Sequence, residues 1–247
     1  MQQERLTKRQ KRLLRQQGSP SETEKVKLNF QLRRIDPLTA NQSKAFDSFD
    51  DGKNLLLHGI AGTGKTFISM YLALNEVMNP LSGYNKVIIV RSVVPTRDMG
   101  FLPGNHKDKA KVYEAPYYII ANELFGRGDA YEILKQKTLV EFISTSFIRG
   151  TTLNDAIVVV DEIGNMTLHE LDSVITRIGK NCRVVFSGDF RQSDLTREQE
   201  KNGLKDFIRI LDRMKSFDYI EFDENDIVRS GLVKEYIIAK DRLKITA

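Results

Sequence analysis

The stretch Gly59-Ile60-Ala61-Gly62-Thr63-Gly64-Lys65-Thr66 constrains this chain more than any other. It fits the pattern G-x-x-x-x-G-K-[ST], and its flanks are the ones that pattern requires. Before it, Lys53–His58 (KNLLLH) is short and apolar, as a buried strand is. After it, a helical pattern runs to about Met78. A strand that turns through glycines into a helix aims backbone N–H groups and the helix's positive end at one point. Such a turn cradles phosphates. Lys65 is long enough to reach a β or γ phosphate, and the Thr66 hydroxyl is a ligand for Mg2+. Residues 59–66 are therefore the expected nucleotide-binding segment.

The rest of the chain repeats the alternation. Lys86–Arg91 (KVIIVR), Thr138–Thr145, Ala156–Val160 (AIVVV), Cys182–Ser187 (CRVVFS) and Tyr219–Phe222 read as strands. Between them lie a mixed loop and helix over 95–128, a helix to about Ile178, another over about Glu200–Lys215 and a final helical stretch. AIVVV is apolar throughout, as a strand covered on both faces is. The expected fold class is α/β: one RecA-like P-loop domain, a mostly parallel sheet with helices on both faces. Residues 37–247 form that domain, and 1–36 are a basic arm and linker, broken near Gly18-Ser19-Pro20.

Charge sharpens this division. Residues 1–15 hold Arg5, Lys8, Arg9, Lys11, Arg12 and Arg15 against Glu4, the whole of the chain's net +5, and the remainder carries 32 charges of each sign. The arm is a candidate for nucleic-acid contact. The longest apolar runs are five or six residues, far short of a membrane span, and no secretory signal segment opens the chain. These features point to a cytoplasmic protein with no membrane partner. The single cysteine, Cys182, excludes an internal disulfide and a thiolate-cluster zinc site, and His58, His106 and His169 are scattered.

A P-loop needs an acidic partner at a neighbouring strand end. Asp161 and Glu162 follow AIVVV directly. Asp161 is placed to hold the Mg2+ shell, and Glu162 to polarise the attacking water as general base. Buried unpaired carboxylates are costly, and a metal removes that difficulty. At the next strand end, Ser187-Gly188-Asp189-Phe190-Arg191-Gln192 puts the Gln192 amide where it can sense the γ-phosphate. Gln42, upstream, presents one donor and one acceptor suited to the N6/N7 edge of adenine, favouring ATP over GTP.

These motifs, in this order, resemble the PhoH-like family, P-loop ATPases related to the core domain of superfamily 1 helicases. The matching stretches are LTANQ (38–42), GIAGTGKT (59–66), IVRS (89–92), GFLPG (100–104), FIRGTTLNDAIVVVDEIGN (147–165), TRIG (176–179), SGDFRQSDL (187–195) and IVRSGLV (227–233). Ile60 and Ser92 stand where the family usually has Pro, Ser230 where it has His, and DEIGN where it has DEAQN, with Asn165 retained. None of these removes a phosphate or metal group. The resemblance implies ATP hydrolysis with Mg2+ and a role on RNA or single-stranded nucleic acid. Arg91, Arg149 and Phe101 are candidates for contacting the strand.

Hydrolysis of a γ-phosphate is commonly assisted by an arginine finger. The chain is too short for a second core domain to supply one. The expectation is a homo-oligomer, a hexameric ring as the family resemblance suggests, with the finger entering in trans. Arg177 (in TRIG) and Arg229 (in IVRSGLV) are the candidates. The competing reading is an ATP-dependent switch or assembly ATPase acting on a protein partner. A small-molecule kinase explains the P-loop but not the DE and GDxxQ motifs.

Overall fold

A computed structural model describes residues 30–93, 106–189 and 198–243. Six strands form one all-parallel sheet in the order β3-β2-β4-β5-β1-β6. They are β1 (Asn54–Gly59), β2 (Lys86–Arg91), β3 (Val140–Ser144), β4 (Ala156–Asp161), β5 (Cys182–Gly188) and β6 (Phe217–Phe222). The described helices are α1 (Ala40–Asp50), α2 (Lys65–Met78), α3 (His106–Phe125), α4 (Ala130–Gln136), α5 (Leu168–Ile175), α6 (Glu198–Asp212) and α7 (Gly231–Arg242). This is the α/β fold that the alternation predicts.

Each strand's alternation feeds two cores, because successive side chains point to opposite faces. Leu55, Leu57, Val87, Ile89 and Val159 pack with Phe49 of α1, Met70 and Leu74 of α2, and Tyr117 and Leu124 of α3. Leu56, Ile88, Val158 and Phe186 pack on the other face with Leu171 and Val174 of α5 and Phe207 and Leu211 of α6. Double coverage explains why the strands read as continuous apolar runs.

The ends of α1 and α5 are set by side chains. Thr39 Oγ1 accepts from Gln42 N at the start of α1. Thr167 and Glu170 form a reciprocal capping box at the start of α5. Residues 30–36 have no regular structure but lie on the first core: Arg33 N donates to Leu124 O at 2.9 Å, and the Phe30 ring meets Phe125 edge-on at 5.0 Å.

Strand order decides what meets what. β5 lies between β1 and β4, with Leu57 opposite Ser187 and Val160 opposite Phe186. The loop after β1, the end of β5 and Asp161 at the end of β4 therefore share one edge of the sheet. Gly59 makes this edge possible. Its φ is +133°, and a Cβ there would lie 2.0 Å from Phe222 O of β6.

Candidate active site

The loop between β1 and α2 is shaped by its glycines. Gly62 and Gly64 have φ of +79° and +81°, where a side chain is strained. Ile60 is buried and its N–H donates to Phe222 O at 3.2 Å. Thr63 is fully buried, and its hydroxyl donates to Ile60 O at 3.0 Å. Lys65 opens α2. Its ammonium donates to Gly59 O and Ile60 O, each at 2.8 Å, and to Thr63 Oγ1 at 3.2 Å. The lysine is thus folded onto the rim of the loop, in reach of whatever the loop holds.

Asp161 is the convergence point. Its Oδ1 accepts from Thr66 Oγ1 at 2.9 Å and from Ser187 Oγ at 2.5 Å. Its Oδ2 accepts from the Tyr117 hydroxyl at 2.9 Å. Tyr117 belongs to α3 and is fully buried. Burial first, then the neighbouring Asp161 charge, pushes the Tyr117 hydroxyl well above its usual pKa, so it stays a donor. No sequence signal points to Tyr117, which lies 44 residues from its partner.

Glu162 follows in the left-handed region, φ 55° and ψ 42°, a conformation costly to a non-glycine residue and concentrated at functional sites. Its carboxyl is raised above the usual range, first by burial and then by Asp161, against the opposing pull of Arg91 and Lys65. Burial disfavours the Arg91 charge, but Tyr117, Asp161 and Glu162 outweigh it, so the pKa of Arg91 is raised. Arg91, opposite Asp161 in the sheet register, thus sits in the field of the acidic pair. Its guanidinium lies 5.8 Å from the Tyr113 ring.

Gln42 is buried against the loop. Its Nε2 donates to Thr63 O at 3.1 Å, and its Oε1 accepts from Leu38 N at 2.7 Å. Asn41 alongside donates to Asp226 Oδ2 at 2.7 Å, which ties α1 to the segment leading into Arg229.

The two arginine candidates separate. Val228 N donates to Gly62 O at 3.1 Å. A Cβ on Gly62 would lie 3.0 Å from Arg229 Cγ, so Arg229 rests on the P-loop of its own chain. Arg177 is elsewhere. Its carbonyl accepts from Leu153 N at 2.8 Å, just before β4 begins. The length of β4, about 20 Å, separates that backbone from Asp161. Gln192, Phe101 and the basic arm lie outside the described residues.

The residues at the edge fit a magnesium ion. Mg2+ takes hard oxygen ligands, with one or two from the protein and the rest from phosphates and water. Thr66 Oγ1 and Asp161 Oδ1 are two such oxygens, already within 2.9 Å of one another. Among the described residues no group of three or more His, Cys, Asp or Glu is arranged to hold a metal alone.

Comparison with known proteins gives the family and the fold. The family described as "PhoH-like protein" matches residues 34–240. The chain belongs to the PhoH-like family. The PhoH-like protein of Mycobacterium leprae is 33% identical over 228 residues, covering 90% of this chain and 64% of that protein. That of Bacillus subtilis is 34% identical over 193 residues, covering 77% and 59%. The chain thus spans about 60% of the length of these curated relatives. Among solved structures, the large terminase of a thermophilic bacteriophage in complex with ADP superimposes with a TM-score of 0.50 at 13% identity, over 81% of this chain and 49% of that one. At that identity the likeness is one of fold, the P-loop NTPase fold. Among the described residues, no helix is long and apolar enough to cross a membrane.

Proposed function

We propose that the chain is a Mg2+-dependent ATPase that couples hydrolysis to binding or remodelling of RNA or single-stranded nucleic acid. The observation that carries the hydrolytic reading is the contact between Thr66 and Asp161, with Glu162 next in the chain. P-loop hydroxyl, strand-end acid and candidate base meet at one edge.

Each residue has a task in that reaction. Within the segment Gly59–Gly64, Gly59 and Ile60 anchor the loop on β6 through Ile60 N and Phe222 O, and Ala61, Gly62, Thr63 and Gly64 offer backbone N–H groups to the phosphates. Gln42 lies at the loop for the base. Lys65 exchanges the carbonyls of Gly59 and Ile60 for β and γ phosphate oxygens. Thr66 and Asp161 would hold Mg2+, which would supply positive charge to neutralise the phosphates. Glu162 takes a proton from the attacking water as its oxygen bonds to the γ phosphorus and the bond to the β–γ bridging oxygen breaks. Its raised pKa makes it a stronger base than an ordinary carboxylate. Gln192 orients the water or reads the γ-phosphate. Arg229 neutralises charge on the transferring group.

The stem of Arg229 lies against Gly62 of its own chain, which supports a finger supplied in cis rather than by a neighbouring copy. Arg177 is then the candidate that acts only in trans. Light scattering with a non-hydrolysable ATP analogue tests the expected hexameric ring.

One observation favours the reading in which the partner is a protein. α7, beside the P-loop, buries none of its residues, and Leu232 and Tyr236 are 79% and 67% exposed. ATPase rates across a panel of single-stranded RNA and DNA decide between the two. Stimulation that weakens with salt supports the nucleic-acid reading. Unchanged rates across the panel sink it and leave the protein-directed switch.

A further inference from the structure

A second cleft runs along α5. Arg149, Gly150, His169, Asp172, Thr176 and Arg177 line a volume of about 430 Å3. Arg149 comes from the loop after β3, and its guanidinium meets Nε2 of His169 in the first turn of α5. A guanidinium only donates, so the imidazole accepts there. The Thr176 hydroxyl donates to Asp172 O within the helix, so recognition of an incoming group falls to the cations. Two guanidinium groups against one carboxylate favour an anion. Phe147, two residues before Arg149, is 63% exposed. Arginines for phosphates with an exposed aromatic ring nearby in the chain are the chemistry of single-strand recognition.

The cleft is also wired to the catalytic edge. α5 begins six residues after Glu162, across the short turn Ile163–Asn165, where Asn165 N donates to Glu162 O at 3.0 Å. Next to His169, Glu170 grips both neighbouring strand ends. Its Oε1 accepts from Ser92 Oγ after β2 at 2.9 Å and from Thr145 Oγ1 after β3 at 2.7 Å. α5 and Glu162 are thus joined through this short turn.

We infer that the α5 cleft binds the phosphodiester backbone of a single nucleic-acid strand through Arg149 and Arg177, with a base stacked on Phe147. The inference rests on the reading of the chain as an ATPase acting on nucleic acid, and gives that reading a location. The competing ligand for Arg177 is the terminal phosphate of a nucleotide held by a second copy.

The test is fluorescence anisotropy of a labelled single-stranded oligonucleotide titrated with the full chain, over a salt series. Arg149→Gln and Arg177→Gln should each weaken binding at least about fivefold and lower the salt slope by about 1. Phe147→Ala should weaken it about tenfold and leave the slope unchanged. Unchanged melting midpoints show that the variants are folded. The basic arm is present in every sample and cancels from the comparison. Wild-type affinity and slope in folded arginine variants overturn the cleft while leaving the proposed function standing. A wild-type chain that binds no strand overturns both. Mixing Arg177→Gln with Lys65→Ala gives a second arm. ATPase activity no greater than the sum of the separate preparations agrees with a strand in the cleft. Activity well above that sum assigns Arg177 to the neighbour's nucleotide and overturns the inference.

Discussion

Tyr117→Phe removes one oxygen from the interior and tests whether Asp161 is held in place by its neighbours. The ring stays, with its packing against Phe142 at a centroid distance of 5.9 Å. What is lost is the 2.9 Å bond to Asp161 Oδ2, leaving Thr66 and Ser187 on Oδ1. A hydrogen bond to a charged partner contributes about 1.5–3 kcal/mol. For a domain of this size each kcal/mol moves the melting midpoint by about 2–4 °C, so the expected fall is about 3–12 °C. Loss of a group that orients a metal ligand commonly lowers metal affinity about 10–100-fold. Nucleotide affinity titrated against Mg2+ should therefore shift to higher Mg2+ by that factor, with calorimetry giving the midpoint. A Tyr117→Phe protein that matches the wild type in both would refute the role of Tyr117 and, with it, the picture of Asp161 as a pre-oriented ligand.

Other outcomes follow from particular contacts. Gly59→Ala should fail to reach a stable native state in chemical denaturation, because its Cβ meets the Phe222 carbonyl at 2.0 Å and neither backbone can yield. Arg229→Ala should lower kcat at least about 100-fold with little change in KM, and mixing with Lys65→Ala subunits should not rescue it, as the proposed role in cis requires. Glu170→Gln should lower stability by about 1–3 kcal/mol near neutral pH, measured by urea denaturation. Burial acts to raise the Glu170 pKa, but bonds from Thr167, Thr145 and Ser92 outweigh it and leave the pKa below 4.5. With a depressed folded-state pKa, the stabilisation is present above about pH 4.5 and is lost as pH falls through the folded value. The gap between wild type and Glu170→Gln should close at acid pH.

Legibility follows locality. The P-loop and the Asp161-Glu162 pair each occupy consecutive residues, and their chemistry is fixed by spacing along one strand and its turn. β2, read as Lys86–Arg91, has those bounds, because a strand buried on both faces is bounded by the first charges it meets. Tyr117 is invisible in the sequence for the opposite reason. Its partner is remote, and within α3 it is one aromatic among several. Arg229 is legible as a candidate with no side assigned, since only the return of the chain past β6 lays it on Gly62. α1 and α4 carry no clear apolar period. Tertiary contacts help to hold them, such as the bond from Tyr131 N to Asn122 Oδ1, which no local pattern encodes.

The most direct test of the account is single-turnover conversion of bound ATP in the presence of Mg2+, wild type against Glu162→Gln. The wild type should convert its bound ATP to ADP and phosphate, while Glu162→Gln binds ATP and retains it. Conversion by Glu162→Gln at the wild-type rate, or none by the wild type, would contradict a P-loop ATPase with Glu162 as its base.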